Sequence, residues 1–172
     1  KIIDESFAKR KFCNFVASNG NCQDRNNFFN QLSKYKKVDS AGRLFNNIGS
    51  EIFAGLGGGG GELKKHDFLK KYKFCLAYEN ASSQGYTTEK LLHAKAAGCI
   101  PIYWGDPNID QHFNGNGFYK WNTIEDLTKI LEKINQDDYF SKIDYIKENY
   151  EKFKKFASPD KWMYDNCYKN LI

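Results

Sequence analysis

Apolar positions along this chain alternate between strand-like clusters and helical stripes. Residues 11–18 (KFCNFVAS) gather aromatic and β-branched side chains ahead of the turn cluster Asn19-Gly20-Asn21, which predicts a first strand. Asp24 stands where a helix cap belongs. Phe28, Phe29 and Leu32 then supply one buried face for a helix over residues 25–35, with Arg25 projecting from its first turn. Residues 37–42 suit a short edge strand and turn, whereas residues 43–62 keep no period of either kind and read as a long loop.

Downstream the alternation becomes regular. Residues 66–72 predict a short helix with Phe68 and Leu69 inward, residues 73–78 a strand, residues 88–97 a helix turning Leu91, Leu92 and Ala96 toward the sheet, and residues 100–104 another strand. Gly98 sits where that helix would end in a left-handed turn. Strand, helix and strand in so short a span predict a right-handed parallel crossover, and the run 100–104 is too apolar to face water. Residues 105–108 and 114–117 are turns by composition, and residues 118–121 form a candidate last strand. Thr123 and Asp126 look like a capping pair. Ile124, Leu127, Leu131 and Ile134 follow as one helical face, and residues 139–156 continue with Ile143, Ile146, Tyr150 and Phe153 in register.

This order predicts one α/β domain, a Rossmann-like parallel sheet flanked by helices, and 172 residues suffice for one such domain but not two. The net charge of +5 is spread among interspersed lysines and acids, so it gives no indication of nucleic-acid binding. No run is apolar and long enough for a membrane span or a signal-peptide core. The cysteines at 13, 22, 75, 99 and 167 are odd in number and lack any Cys-x-x-Cys pair, which argues against a disulfide framework or a zinc site; Cys75 and Cys99 read as small core residues, and Cys13 with Cys22 leaves one bridge open. His66, His93 and His112 have no ligand spacing and there is no Asp-x-Asp signature, so no required metal is expected. The five glycines at 57–61 lack the Gly-Lys-Ser/Thr ending of a phosphate loop and predict a flexible linker, native or introduced.

Candidate chemistry gathers in the turn before the helix at 88–97. At the carboxyl end of a parallel strand, helix-start N–H groups and the positive end of the helix dipole favour an anionic ligand such as a nucleotide diphosphate. KFCLAYEN (73–80), GYTTEK (85–90) and IPIYWGDP (100–107), in this order and spacing, resemble the donor-binding half of the α-1,3-fucosyltransferase family, enzymes that move fucose from GDP-fucose to an oligosaccharide. The resemblance runs from about Phe12 to Phe118 and implies the donor half of a two-domain, GT-B type inverting glycosyltransferase. An acceptor-binding half lies outside the chain on this reading, and a chain opening on Lys1 rather than Met fits it. It assigns donor contacts to Arg25, Asn80, Tyr86, Glu89 and Lys90, the arginine and lysine at the diphosphate, and expects the catalytic base from the other half. Glu79 and Glu89 match no such base.

Two positions depart from the family's pattern. Thr87 replaces a usual valine, and Phe113-Asn114-Gly115 replaces Phe-Asn-Pro. Asn80-Ala81-Ser82 also fits the N-glycosylation pattern, but a glycan there would obstruct the expected donor site, so the match is read as accidental. Tyr103 and Trp104, members of an apolar strand, read as core rather than stacking platforms. The rival readings are a transferase for another nucleotide sugar and a non-catalytic sugar-nucleotide-binding module. The chain suits a soluble fragment of a cytoplasmic or membrane-associated protein.

Overall fold

A computed structural model describes residues 8–52 and 60–156, with isolated positions 158, 160, 161, 165 and 169 beyond them. Five parallel strands form one sheet in the order β2-β1-β3-β4-β5: β1 (Lys11–Phe15), β2 (Val38–Ser40), β3 (Tyr72–Tyr78), β4 (Ile100–Trp104) and β5 (Tyr119–Lys120). The α/β expectation holds, and β2 is an edge strand as its composition predicts.

Helices cover both faces because β3 and β4 are apolar on both. Phe74, Leu76, Tyr78, Ile100 and Ile102 point to the side covered by α1 (Gln23–Tyr35) and α4 (Ile124–Lys133). Cys75, Ala77 and Tyr103 point to the side of α2 (Gly60–Leu69) and α3 (Glu89–Ala96). The largest cluster is aromatic: Phe28 stacks on Trp121 at 4.1 Å, and Tyr78 stacks on Trp104 at 4.4 Å. Each such buried ring contributes about 2–3 kcal/mol through lost apolar surface. Tyr103 is fully buried and Trp104 half-buried, so both belong to the core as expected.

The central crossover follows its local signals. Thr88 caps α3, Gly98 takes φ 70° immediately after it, and the Arg10 guanidinium donates to the carbonyls of Ala97 at 2.9 Å and Gly98 at 3.2 Å. A cation at these terminal carbonyls also complements the helix dipole. The Thr123 and Asp126 pair forms a reciprocal capping box at α4, whose Leu127 is buried and whose C-cap Ile134 joins the same core.

Several boundaries differ from the sequence expectation. Asp24 is not the cap of α1: Cys22 occupies that position without a side-chain bond, and Asp24 lies inside the first turn, where its charge suits the dipole. Arg25 does not project outward; it is 1% exposed. The face of α3 is Leu91, Ala94 and Lys95, with Ala96 only half-buried. The small Ala94 and Ala97 are the ones pressed into the sheet-facing cluster. α2 begins at Gly60 rather than near His66, so Gly60 and Gly61 are helical despite their low propensity; Gly57 to Gly59 lie outside the described residues. The last strand shrinks to Tyr119–Lys120, and the carboxyl-terminal helical stretch divides at Lys142 (φ −96°, ψ 0°) into α5 (Gln136–Ser141) and α6 (Ile143–Phe153).

Cys13, Cys22, Cys75 and Cys99 are free thiols, so no bridge joins Cys13 to Cys22. Burial pushes the Cys99 thiol up to about 12 and Cys13 and Cys75 well above their ordinary range, which suits inert core residues. No helix among the described residues is long and apolar enough to cross a membrane.

Candidate functional site

The chain leaves β1 toward β2 on one side of the sheet and later returns to place β3 on the other, so strand order reverses between β1 and β3. Such a switch point opens a crevice at the carboxyl ends of the two strands. Here the crevice is lined by Val16 and Ala17 after β1, Leu76 and Tyr78 of β3, Lys65 of α2, and Lys90 of α3.

Glu79 and Asn80, immediately after β3, organise its rim. The Asn80 side chain is reached from α1: Arg25 Nη1 donates to Asn80 Oδ1 at 3.1 Å, and Nη2 donates to the Asn19 carbonyl. Glu79 is fully buried and is reached from α3. Its Oε1 accepts from the Thr88 backbone N–H at 2.8 Å, and its Oε2 accepts from Thr88 Oγ1 at 2.6 Å and Lys90 Nζ at 3.2 Å. A buried carboxylate with this many donors is compensated, and it pins the first turn of α3 to the strand end. Adjacent residues thus tie the two helix starts that carry the cations to one strand terminus.

Glu89 lies beside this network, 3.9 Å from Lys90, with its side chain 53% exposed. Partial burial alone would raise its pKa, but the charges of Lys90 and Lys65 outweigh that and hold it below the usual glutamate range. Tyr86 is 37% exposed on the turn closed by Gly85 (φ 76°), and among the described residues no side-chain hydrogen bond joins it to the other four candidates. Arg25, Asn80, Glu89 and Lys90 are therefore drawn to one rim, and Tyr86 stands on the exposed loop leading to it.

Two features escaped the sequence reading. Glu79 matches no catalytic base in sequence; its structural work depends on burial, and its sole sequence signal is a carboxylate ending an apolar strand. Gly105 is the other: a Cβ there would lie 2.5 Å from Glu79 Cγ and 2.5 Å from the Tyr103 hydroxyl, so the glycine makes room for the buried acid. The unusual Thr87 also has a local partner, donating to Asp106 Oδ2 at 3.3 Å. Asn114-Gly115 replaces the family's Asn-Pro in a turn capped by the Asn114 side chain and fastened to α6 through Asn149, which accepts from the Asn114 N–H at 2.7 Å. Among the described residues no group of three or more His, Cys, Asp or Glu side chains is arranged to hold a metal ion.

The sequence profile of glycosyltransferase family 10 (fucosyltransferase), C-terminal part, matches residues 6–168. The chain belongs to this family. An alpha-(1,3)-fucosyltransferase of Helicobacter pylori is 34% identical over 134 residues, covering 77% of this chain and 26% of the relative. A GDP-fucose protein O-fucosyltransferase 3 of Xenopus tropicalis is 26% identical over 144 residues, covering 80% of this chain and 31% of the relative. A crystal structure of an alpha1,3-fucosyltransferase with GDP-fucose superposes with TM-score 0.69 at 29% identity, over 93% of this chain and 49% of that one. Another, with GDP, gives 0.68 at 27% identity, over 87% of this chain and 46% of that one. This family 10 chain thus spans from about a quarter to a third of these curated relatives and about half of each solved chain.

Proposed function

We propose that this chain is a single nucleotide-sugar domain that binds GDP-fucose, and that the protein containing it transfers fucose to an oligosaccharide hydroxyl with inversion. The observation that carries the reading is the convergence of Arg25 and Lys90, from two separate helix starts, on the consecutive residues Asn80 and Glu79 at the switch point. The solved fucosyltransferase structures with GDP-fucose and with GDP support the choice of ligand.

In this mechanism the acceptor oxygen attacks the anomeric carbon of fucose from the face opposite the nucleotide. The bond from that carbon to the phosphate oxygen breaks, its electron pair leaves with GDP, and the acceptor proton passes to a carboxylate of the acceptor-binding half. Negative charge grows on the diphosphate as the bond breaks, and Arg25 and Lys90 meet it with a planar fork and a compact ammonium. These two cations provide the charge stabilisation without a metal ion. Asn80, Tyr86 and Glu89 hold the rest of the donor.

Calorimetry on the full-length protein with GDP, GDP-fucose and UDP tests this. GDP should bind at least about tenfold more weakly to Lys90→Ala and Arg25→Ala, and UDP should bind less tightly than GDP. Unchanged GDP affinity in both variants would overturn the donor site; equal affinity for UDP would overturn the guanine preference.

A further inference from the structure

Lys65 was not among the residues that the sequence singled out, yet it is 7% exposed although its helical neighbour Lys64 and nearby Lys70 are exposed. It enters the switch-point crevice from α2, a third element besides those carrying Arg25 and Lys90, and shares the crevice wall with Lys90 above an apolar floor that includes Val16, Ala17 and Leu76. Its positive charge is also felt at Glu89, which Lys90 approaches to 3.9 Å without a short contact. Glu89, with its side chain 53% exposed, thus feels the charge of both ammonium groups.

We propose that Lys65 is a third cation of the donor site, contacting the diphosphate from the crevice wall that it shares with Lys90. This rests on the donor-site reading above and adds a residue from a separate helix to it. A diphosphate offers oxygens to several cations at once, so Lys65 and Lys90 would share it while Glu89 turns to the sugar or to water.

The test is GDP and guanosine binding to the full-length protein across a salt series. In Lys65→Met, which keeps the aliphatic stem on the apolar floor, GDP affinity should fall about tenfold and its salt dependence should flatten, while guanosine affinity and melting temperature stay unchanged. Lys65→Arg should recover most of the GDP affinity. Wild-type GDP affinity in Lys65→Met overturns the proposal, as does an equal loss for GDP and guanosine, which would mean a purely structural lysine. The underlying reading fails separately, if Lys90→Met binds GDP as well as the wild type.

Discussion

Lys90 and Lys95 belong to the same helix, and the two ends of α3 accommodate a lysine by opposite means. At the crevice end the Lys90 side chain is 21% exposed and its ammonium donates to Glu79 at 3.2 Å and to Thr88 Oγ1 at 3.1 Å. At the far end Lys95 is 2% exposed and its Nζ has no hydrogen-bond partner among the described residues. It lies instead 4.4 Å from the Phe113 ring centroid and 4.3 Å from that of Phe118. Burial, reinforced by the charge of Lys152 and only partly opposed by Asp110, draws its pKa down to about 7. A charge kept by paired hydrogen bonds is available to a ligand; a charge kept only by aromatic faces is close to being given up.

The comparison breaks most visibly if Glu79 is removed. Glu79→Ala removes the carboxylate that Lys90 Nζ, the Thr88 N–H and the Thr88 hydroxyl share, leaving Lys90 Nζ only Thr88 Oγ1, and opens a cavity beneath Gly105. A loss of about 3 kcal/mol in urea unfolding is expected, with Glu79→Gln losing roughly half as much because one acceptor and the shape survive. GDP binding should weaken in both, because Lys90 loses its anchor. An unchanged urea midpoint in Glu79→Ala would mean that water replaces the carboxylate at no cost, and the crevice end would then resemble the far end.

The same contrast explains what was legible in the sequence. β3, α3 and β4 could be read because period and terminating glycine agree: a helical stripe, Gly98 after it, and uninterrupted apolar runs on either side, although Thr88, read as the first helical residue, is in fact its cap. The rim residues Arg25, Asn80, Glu89 and Lys90 were legible through a resemblance of spaced motifs, and no rule of periodicity would have joined α1 to the loop after β3. Lys65 and Lys95 were not legible, because a lysine's burial depends on which neighbouring element closes over it. The early start of α2 was hidden for a similar reason: Gly60 and Gly61 are poor helix formers, and packing of Phe68 and Leu69 against Tyr72 and Cys75 overrides that preference.

Lys95 gives a smaller effect of opposite sign. Lys95→Met fills the same space between Phe113 and Phe118 without an ionisable group and should raise stability by about 1–2 kcal/mol at pH 7. In the native chain the folded pKa of about 7 lies below the ordinary 10.5, so between these values the unfolded state binds more protons. Stability attributable to this group therefore rises as pH increases from about 7 toward 10.5, and its cost is fully present below 7. Lys152 and Asp110 are the charged groups acting on it from outside α3, and Lys152→Gln should move its titration upward. Denaturant midpoints of wild type and Lys95→Met, compared across that range, should converge as the pH rises. Parallel curves would show that Lys95 keeps its proton in the folded state.

The finest test lies at Thr87, where the resembled family usually carries valine. The Thr87 hydroxyl donates to Asp106 Oδ2 at 3.3 Å, and Asp106, 2% exposed, also accepts from the Asn108 N–H at 2.9 Å and donates its own N–H to the Tyr103 hydroxyl at 2.9 Å. Thr87→Val keeps the branched shape but leaves one oxygen of a buried carboxylate a donor short, so a loss of about 0.5–1.5 kcal/mol is expected. The crevice network runs through Thr88 and Glu79 on the other side of this residue, so GDP affinity should stay within about twofold of wild type, a change of less than ~0.5 kcal/mol. A fall in GDP affinity larger than the fall in stability would show that the threonine bears on the ligand itself. The paired, polar character of this end of α3 would then extend beyond Lys90 to the turn that precedes the helix.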